Sequence, residues 1–174
     1  MPWLENRLIT RAEVQTGEKS DHIRAILASS RAAFWKFAAC LPLLTHRQHV
    51  PKTLWNLARI AAMQSEDCGP CLQTTVIYAL RDGVEGELIK AALGRPTSRV
   101  LTAEEEAALA LGRTVAGGAP MPDEARRCLL AVLGDKGLAE LSLAAATVRI
   151  FPAIKRGLGM AEACHLVTIH VDAA

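Results

Sequence analysis

The chain has 174 residues, 51% hydrophobic and 22% charged, a composition that excludes intrinsic disorder and points to a single domain. Its 20 basic and 18 acidic residues are mixed along the chain and aromatics make up 4%, so neither the basic stripe nor the stacking platforms of a nucleic-acid binder is present. Thirty alanines and 23 leucines against 9 isoleucines and 10 valines predict an all-α protein, because Ala and Leu lead the helix-propensity order and β-branched residues favour sheets.

In chain order, Leu4 to Val14 reads as a short helix, broken by Gly17 and restarted at Ser20-Asp21 with Ser20 as N-cap. Ile23, Ile26, Leu27, Phe34, Phe37 and Ala38 continue one helical run, which Pro42 ends. Residues 45–51, with His46, Arg47 and His49, read as a loop. Lys52–Gln64 is predicted as a helix apolar around most of its circumference, and hence deeply buried. Pro70 to Leu80 and Val84 to Leu93 are further helices, closed by Asp82-Gly83 and by Gly94. Thr102 with Glu105 fits a capping box opening a helix to Val115. Asp123 to Leu133, a turn at Gly134–Gly137, and an apolar helix from Leu138 to Ile150 follow, with Pro152 as the breaker. Cys164 to Val171 alternates weakly and is expected to be extended.

The N-terminus, Met1-Pro2-Trp3-Leu4, lacks the apolar run of a secretory signal. No stretch approaches the roughly 18 apolar residues of a membrane span. Ala32–Leu44 comes closest, and Lys36 and Pro42 break it. Five cysteines, an odd number and mostly widely spaced, argue for a reducing compartment over a disulfide framework. The expectation is a cytoplasmic protein with neither membrane nor nucleic acid as partner.

The chemistry concentrates in Cys68-Gly69-Pro70-Cys71. Two thiols three residues apart at a helix start can form a disulfide with little backbone movement. Pro70 suits the first turn, where its missing N–H would be unpaired anyway. The free amides and dipole of that turn favour a thiolate, the reactive form. The same pair also fits two packed cysteines, or half of a zinc site, although no second CxxC or HxxxH supplies further ligands. Glu66 and Asp67 precede the dithiol, either as proton acceptors or as carboxylates favoured by the helix start. His46 and His49 lie upstream, and His49 can serve the dithiol only by folding back over it. Cys40, Cys128 and Cys164 read as small apolar core residues, and Cys164-His165 with His170 is a further metal alternative. Arg59, inside an apolar helix, calls for a carboxylate partner, a subunit interface or a place near the thiols. Trp35, Trp55 and Phe151 read as core or interface anchors, and Lys155 and Arg156 as solvent-facing.

A buried helix, a CxxC opening the next one, a Gly-terminated turn and a short helix together resemble the AhpD-like alkylhydroperoxidase branch of the carboxymuconolactone decarboxylase superfamily. The resemblance is best over residues 51–93 and looser over 101–158. It implies an all-helical fold and a trimer or hexamer; a thiol reductant protein is expected as a further partner, and no cofactor or metal is expected. It divides the chain into a helical extension (1–50), an AhpD-like core (51–160) and a tail (161–174). It makes Cys71 the peroxidatic thiol and Cys68 the resolving one. The family's Glu, twelve residues before the first cysteine, falls here on Asn56, and its His, four residues after the second, on Thr75. Neither titrates near neutral pH. The expected activity is therefore a dithiol oxidoreductase that reduces a peroxide, with slow turnover, or exchanges disulfides with a partner, set against a non-enzymatic helical oligomer with a redox-sensing or structural dithiol.

Overall fold

Helix takes up the alanine and leucine excess. The computed structural model describes residues 3–66, 68–161, 167 and 169, and among them it contains helices and no strand. They are α1 (Trp3–Thr16), α2 (Asp21–Ser29), α3 (Arg31–Cys40), a 3₁₀ turn (Leu41–Leu44), α4 (Lys52–Gln64), α5 (Gly69–Arg81), α6 (Gly86–Ala92), α7 (Ala103–Gly117), α8 (Asp123–Val148) and α9 (Ile150–Gly157). The tail segment expected to be extended lies largely outside the described residues.

Local chemistry sets most boundaries. Thr102 and Glu105 form both halves of the capping box at the start of α7. That helix closes on Gly118 in the left-handed conformation, φ 71°. Gly134, at φ 65° and ψ −176°, breaks α8 where the sequence predicts a turn.

Three boundaries differ from expectation. The run from Ile23 to Ala38 is two helices, because Ser30 is extended and its hydroxyl accepts from the Ala33 amide as the cap of α3. Ser20 precedes α2, but its side chain makes no capping bond. The break after α8 falls at Arg149, so Pro152 lies in the first turn of α9, where a proline deprives the helix of no hydrogen bond.

α4 is the axis of the core. Every residue from Leu54 to Met63 is buried, and Leu57 and Ala61 are 0% exposed. α5, α7 and α8 pack around it. Gly112 of α7 lies against the backbone of α4, and a Cβ built there would overlap the Ala58 carbonyl oxygen and sit 2.8 Å from the Ala61 methyl. A smaller cluster of Ile9, Leu27 and Phe34 holds α1, α2 and α3 together. α1 touches α5, and the 3₁₀ turn rests on α8.

By length and composition, the stretch Asp123–Gly157 is apolar enough to cross a membrane, a property the sequence reading did not assign to any segment. Here it is broken at Gly134, carries Glu140 and Arg149 within it, and gives Leu141, Ala144, Ala145 and Val148 to the core.

Candidate functional site

α4 ends at Gln64, and the chain turns straight back into α5. Cys68 is the N-cap, in extended conformation (φ −124°, ψ 93°), and Pro70 occupies the first turn. The first helical bond runs from the Leu72 amide to the Cys68 carbonyl, 2.9 Å. This geometry puts the two cysteine Cα atoms 5.3 Å apart and their sulfurs at bonding distance. The Cys68 side chain makes no capping hydrogen bond. The dithiol thus sits at the positive end of the α5 dipole. Both cysteines belong to the main core cluster, at 5% and 8% exposure.

Glu66, which the sequence allowed as a proton acceptor, is engaged by two cations. Its carboxylate is buried and takes two guanidiniums: Arg149 Nε on Oε1, and Arg156 Nη2 on Oε2 at 2.6 Å. Arg156 Nη1 also donates to the Glu66 carbonyl at 3.1 Å, and Arg149 Nη1 to the Val115 carbonyl. Burial pushes the Glu66 carboxyl up, and the Arg149 and Arg156 hydrogen bonds outweigh that and hold it below the usual carboxylate range. A carboxylate clamped this way is a poor base. The group of three carries a net positive charge two residues before Cys68, so it does not oppose a thiolate. The sequence does not single out Arg149, whereas Arg156 is exposed as expected and still reaches Glu66 with its guanidinium. No local pattern marks either one, since they come from the far end of the chain.

Asp67 lies outside the described residues. His49 is not brought to the dithiol. It precedes α4 whereas the dithiol follows it, and a 13-residue helix separates its ends by about 20 Å. His49 instead binds Glu140 of α8, Nδ1 to Oε2 at 3.2 Å, and His46 Nε2 lies 3.9 Å from the same oxygen. Glu140 is the buried anchor of this loop, accepting from the amides of Gln48 (2.8 Å), His49 (3.0 Å) and Val50 (3.1 Å). Burial raises its carboxyl, but these donors outweigh that and hold it low.

The relay positions are engaged elsewhere. Asn56 is fully buried, and its amide donates to Asp82 at 2.8 Å and to the Lys52 carbonyl at 2.9 Å. The Thr75 hydroxyl, one turn beyond Cys71, donates to the Cys71 carbonyl at 2.9 Å. Arg59 stacks 4.1 Å above the Trp55 ring, and its Nε has no hydrogen-bond partner among the described residues. Burial lowers it to about 10, against the pull of Asp82 and Tyr78. Asp82 caps the C-terminal end of α5 and Tyr78 lies in its last turn, at the opposite end of that helix from the dithiol.

Trp55 is the core anchor expected, while Trp35 is 40% exposed and Phe151 half-buried. Cys128 is half-buried, and Cys40 is exposed, not a core residue. Cys164, His165 and His170 lie outside the described residues, among which no group of three or more His, Cys, Asp or Glu could hold a metal. No family model, curated protein or solved structure matches the chain.

Proposed function

We propose that this protein is a cytoplasmic dithiol oxidoreductase of the AhpD-like type within the carboxymuconolactone decarboxylase superfamily, working as a homo-oligomer through Cys71 and Cys68. The observation that carries this reading is the sulfur pair itself, at bonding distance on a helix start whose N-cap is Cys68. The clamped Glu66 adds net positive charge beside it. Cys71 sits in the first turn, where free amides favour its thiolate. That thiolate attacks a peroxide oxygen, the O–O bond breaks, and the leaving oxygen takes a proton as alcohol or water. The resulting sulfenic acid is displaced by Cys68, which releases water and forms the disulfide. A thiol reductant then returns both electrons.

A second reading, a non-enzymatic oligomer with a redox-sensing or structural dithiol, has its own support: the Asn56 amide nitrogen is engaged by Asp82 and the Lys52 carbonyl, the Thr75 hydroxyl by the Cys71 carbonyl, and neither side chain titrates. Thiol titration against pH, with and without peroxide, separates the two. The enzyme reading expects reversible oxidation with slow but catalytic peroxide consumption. Oxidation without turnover selects the sensor, and a pair that never oxidises excludes both.

A further inference from the structure

The fold leaves the charge of Arg59 uncompensated at close range. A carboxylate partner is one expectation for this residue, yet among the described residues none forms an ion pair or hydrogen bond with it. Arg59 is only 7% exposed and stays charged at pH 7. Asp82 attracts it through space, but the Asp82 carboxylate accepts instead from the Asn56 amide at 2.8 Å. A buried cation without a bonded anion is costly, and so is each buried polar atom without a partner. Two such atoms adjoin it on α4. They are Trp55 Nε1, four residues earlier, and Asn56 Oδ1, three residues earlier, both buried and unpartnered among the described residues. A second guanidinium, that of the exposed Arg47, lies 5.8 Å from the centroid of the same Trp55 ring. Tyr78, 36% exposed, is near enough to act on Arg59 as well. The group therefore borders solvent at Arg47 and Tyr78, and two guanidiniums face one carboxylate.

We propose that Arg59, with Trp55 and Asn56, forms a binding site for a small organic carboxylate with an aromatic or apolar body. The planar guanidinium fork matches a carboxylate through two parallel hydrogen bonds. A cation buried this deeply suits a monoanion, because a phosphate dianion would bring an uncompensated second charge into the same low-dielectric place. The unpartnered indole N–H adds a donor of the same sense, and the Trp55 and Tyr78 rings offer apolar surface to the body of the ligand. Neither cysteine takes part, so the site stands whether or not the dithiol is catalytic.

The test titrates the full-length protein with benzoate, its neutral isostere benzamide, acetate and inorganic phosphate. Binding is read by calorimetry and by the indole N–H resonance of Trp55, identified in the double variant Trp3→Phe with Trp35→Phe. Benzoate is expected to saturate at millimolar concentration, to shift that resonance, and to bind about tenfold more tightly than benzamide, acetate or phosphate. Arg59→Met, uncharged and of similar bulk, should lose the preference for benzoate over benzamide. Arg59→Lys keeps the charge without the fork and should weaken benzoate about tenfold, which decides the role of Arg59 even where Arg59→Met does not fold. No saturable benzoate binding, benzamide binding equally well, phosphate binding more tightly, or an unchanged benzoate affinity in the Arg59 variants would overturn the proposal. So would an oligomer that Arg59→Met breaks apart while benzoate fails to bind, a result that assigns the missing anion to a second copy of the chain.

Discussion

At the scale of single residues, the two cysteines are distinguished by position. Cys68 is the N-cap and Cys71 lies inside the first turn. Cys71→Ser is expected to abolish both peroxide consumption and disulfide formation. Cys68→Ser should leave Cys71 as a sulfenic acid or a mixed disulfide, detectable by mass spectrometry after peroxide. A Cys68→Ser protein that turns over at the wild-type rate would reverse the assignment. His22 provides an independent signature in pH. Burial and Lys155 lower it to about 4 from an ordinary 6.5. The unfolded chain therefore binds a proton that the folded chain refuses. Stability from this group is present above pH 6.5 and is lost as pH falls toward 4, by roughly 2–3 kcal/mol. His22→Leu should flatten the melting temperature over that window. Glu66 and Glu140, whose folded values are held low, act in a different window. Their contribution is present above the unfolded carboxylate range and is lost only as pH falls through the lower folded values.

At the scale of elements, two contacts fix how α4 is held. Gly112 lets α7 approach the α4 backbone, and the atom a Cβ would meet is a carbonyl that cannot swing aside. Gly112→Ala is expected to destabilise by roughly 1–3 kcal/mol, measured by urea unfolding, although alanine has the higher helix propensity. A stabilised variant would show that the helices separate at no cost. Glu140 ties α8 to the loop before α4 through three backbone amides. Glu140→Gln replaces a charged acceptor by a neutral one and leaves at least one buried amide unpaired. The expected loss is about 2–4 kcal/mol, with faster hydrogen exchange at Gln48, His49 and Val50. If only the stability fell and exchange did not change, Glu140 would act on α8 alone.

At the scale of the whole molecule, an oligomer needs uncovered apolar surface, and α4 supplies none, because its apolar circumference is covered within the chain. The uncovered apolar side chains lie elsewhere: Trp3 at 67%, Val14 at 77% and Val100 at 80% exposure, with Leu4, Leu8 and Trp35 more than a third exposed. Trp3, Leu4, Leu8 and Val14 belong to α1 and Trp35 to α3, outside the main core. Light scattering is expected to give a homo-oligomer, a trimer or hexamer by family resemblance. Trp3→Glu with Leu4→Lys should weaken it if α1 forms the interface. A monomer at micromolar concentration would refute the assembly, and an unchanged oligomer in the variant would place the interface elsewhere.

The sequence by itself determined what short-range physics determines. The bounds of α4 follow from the proline before it and from its apolar periodicity, the start of α7 from its capping box, the break in α8 from Gly134, and the dithiol geometry from a three-residue spacing at a helix start. Each needs only residues within a turn or two of one another. The tertiary structure decided which charges meet. Glu66 is paired with residues 83 and 90 positions away, and Glu140 with a loop 90 to 92 positions away. No periodicity encodes such separations. A carboxylate next to a thiol reads as a base until two distant guanidiniums occupy it. His49 reads as near the dithiol until the length of α4 comes between them. Chain proximity fixes hydrogen bonds within a helix, whereas an ion pair depends on how the helices pack, and that is settled by the burial of α4 and the space left at Gly112.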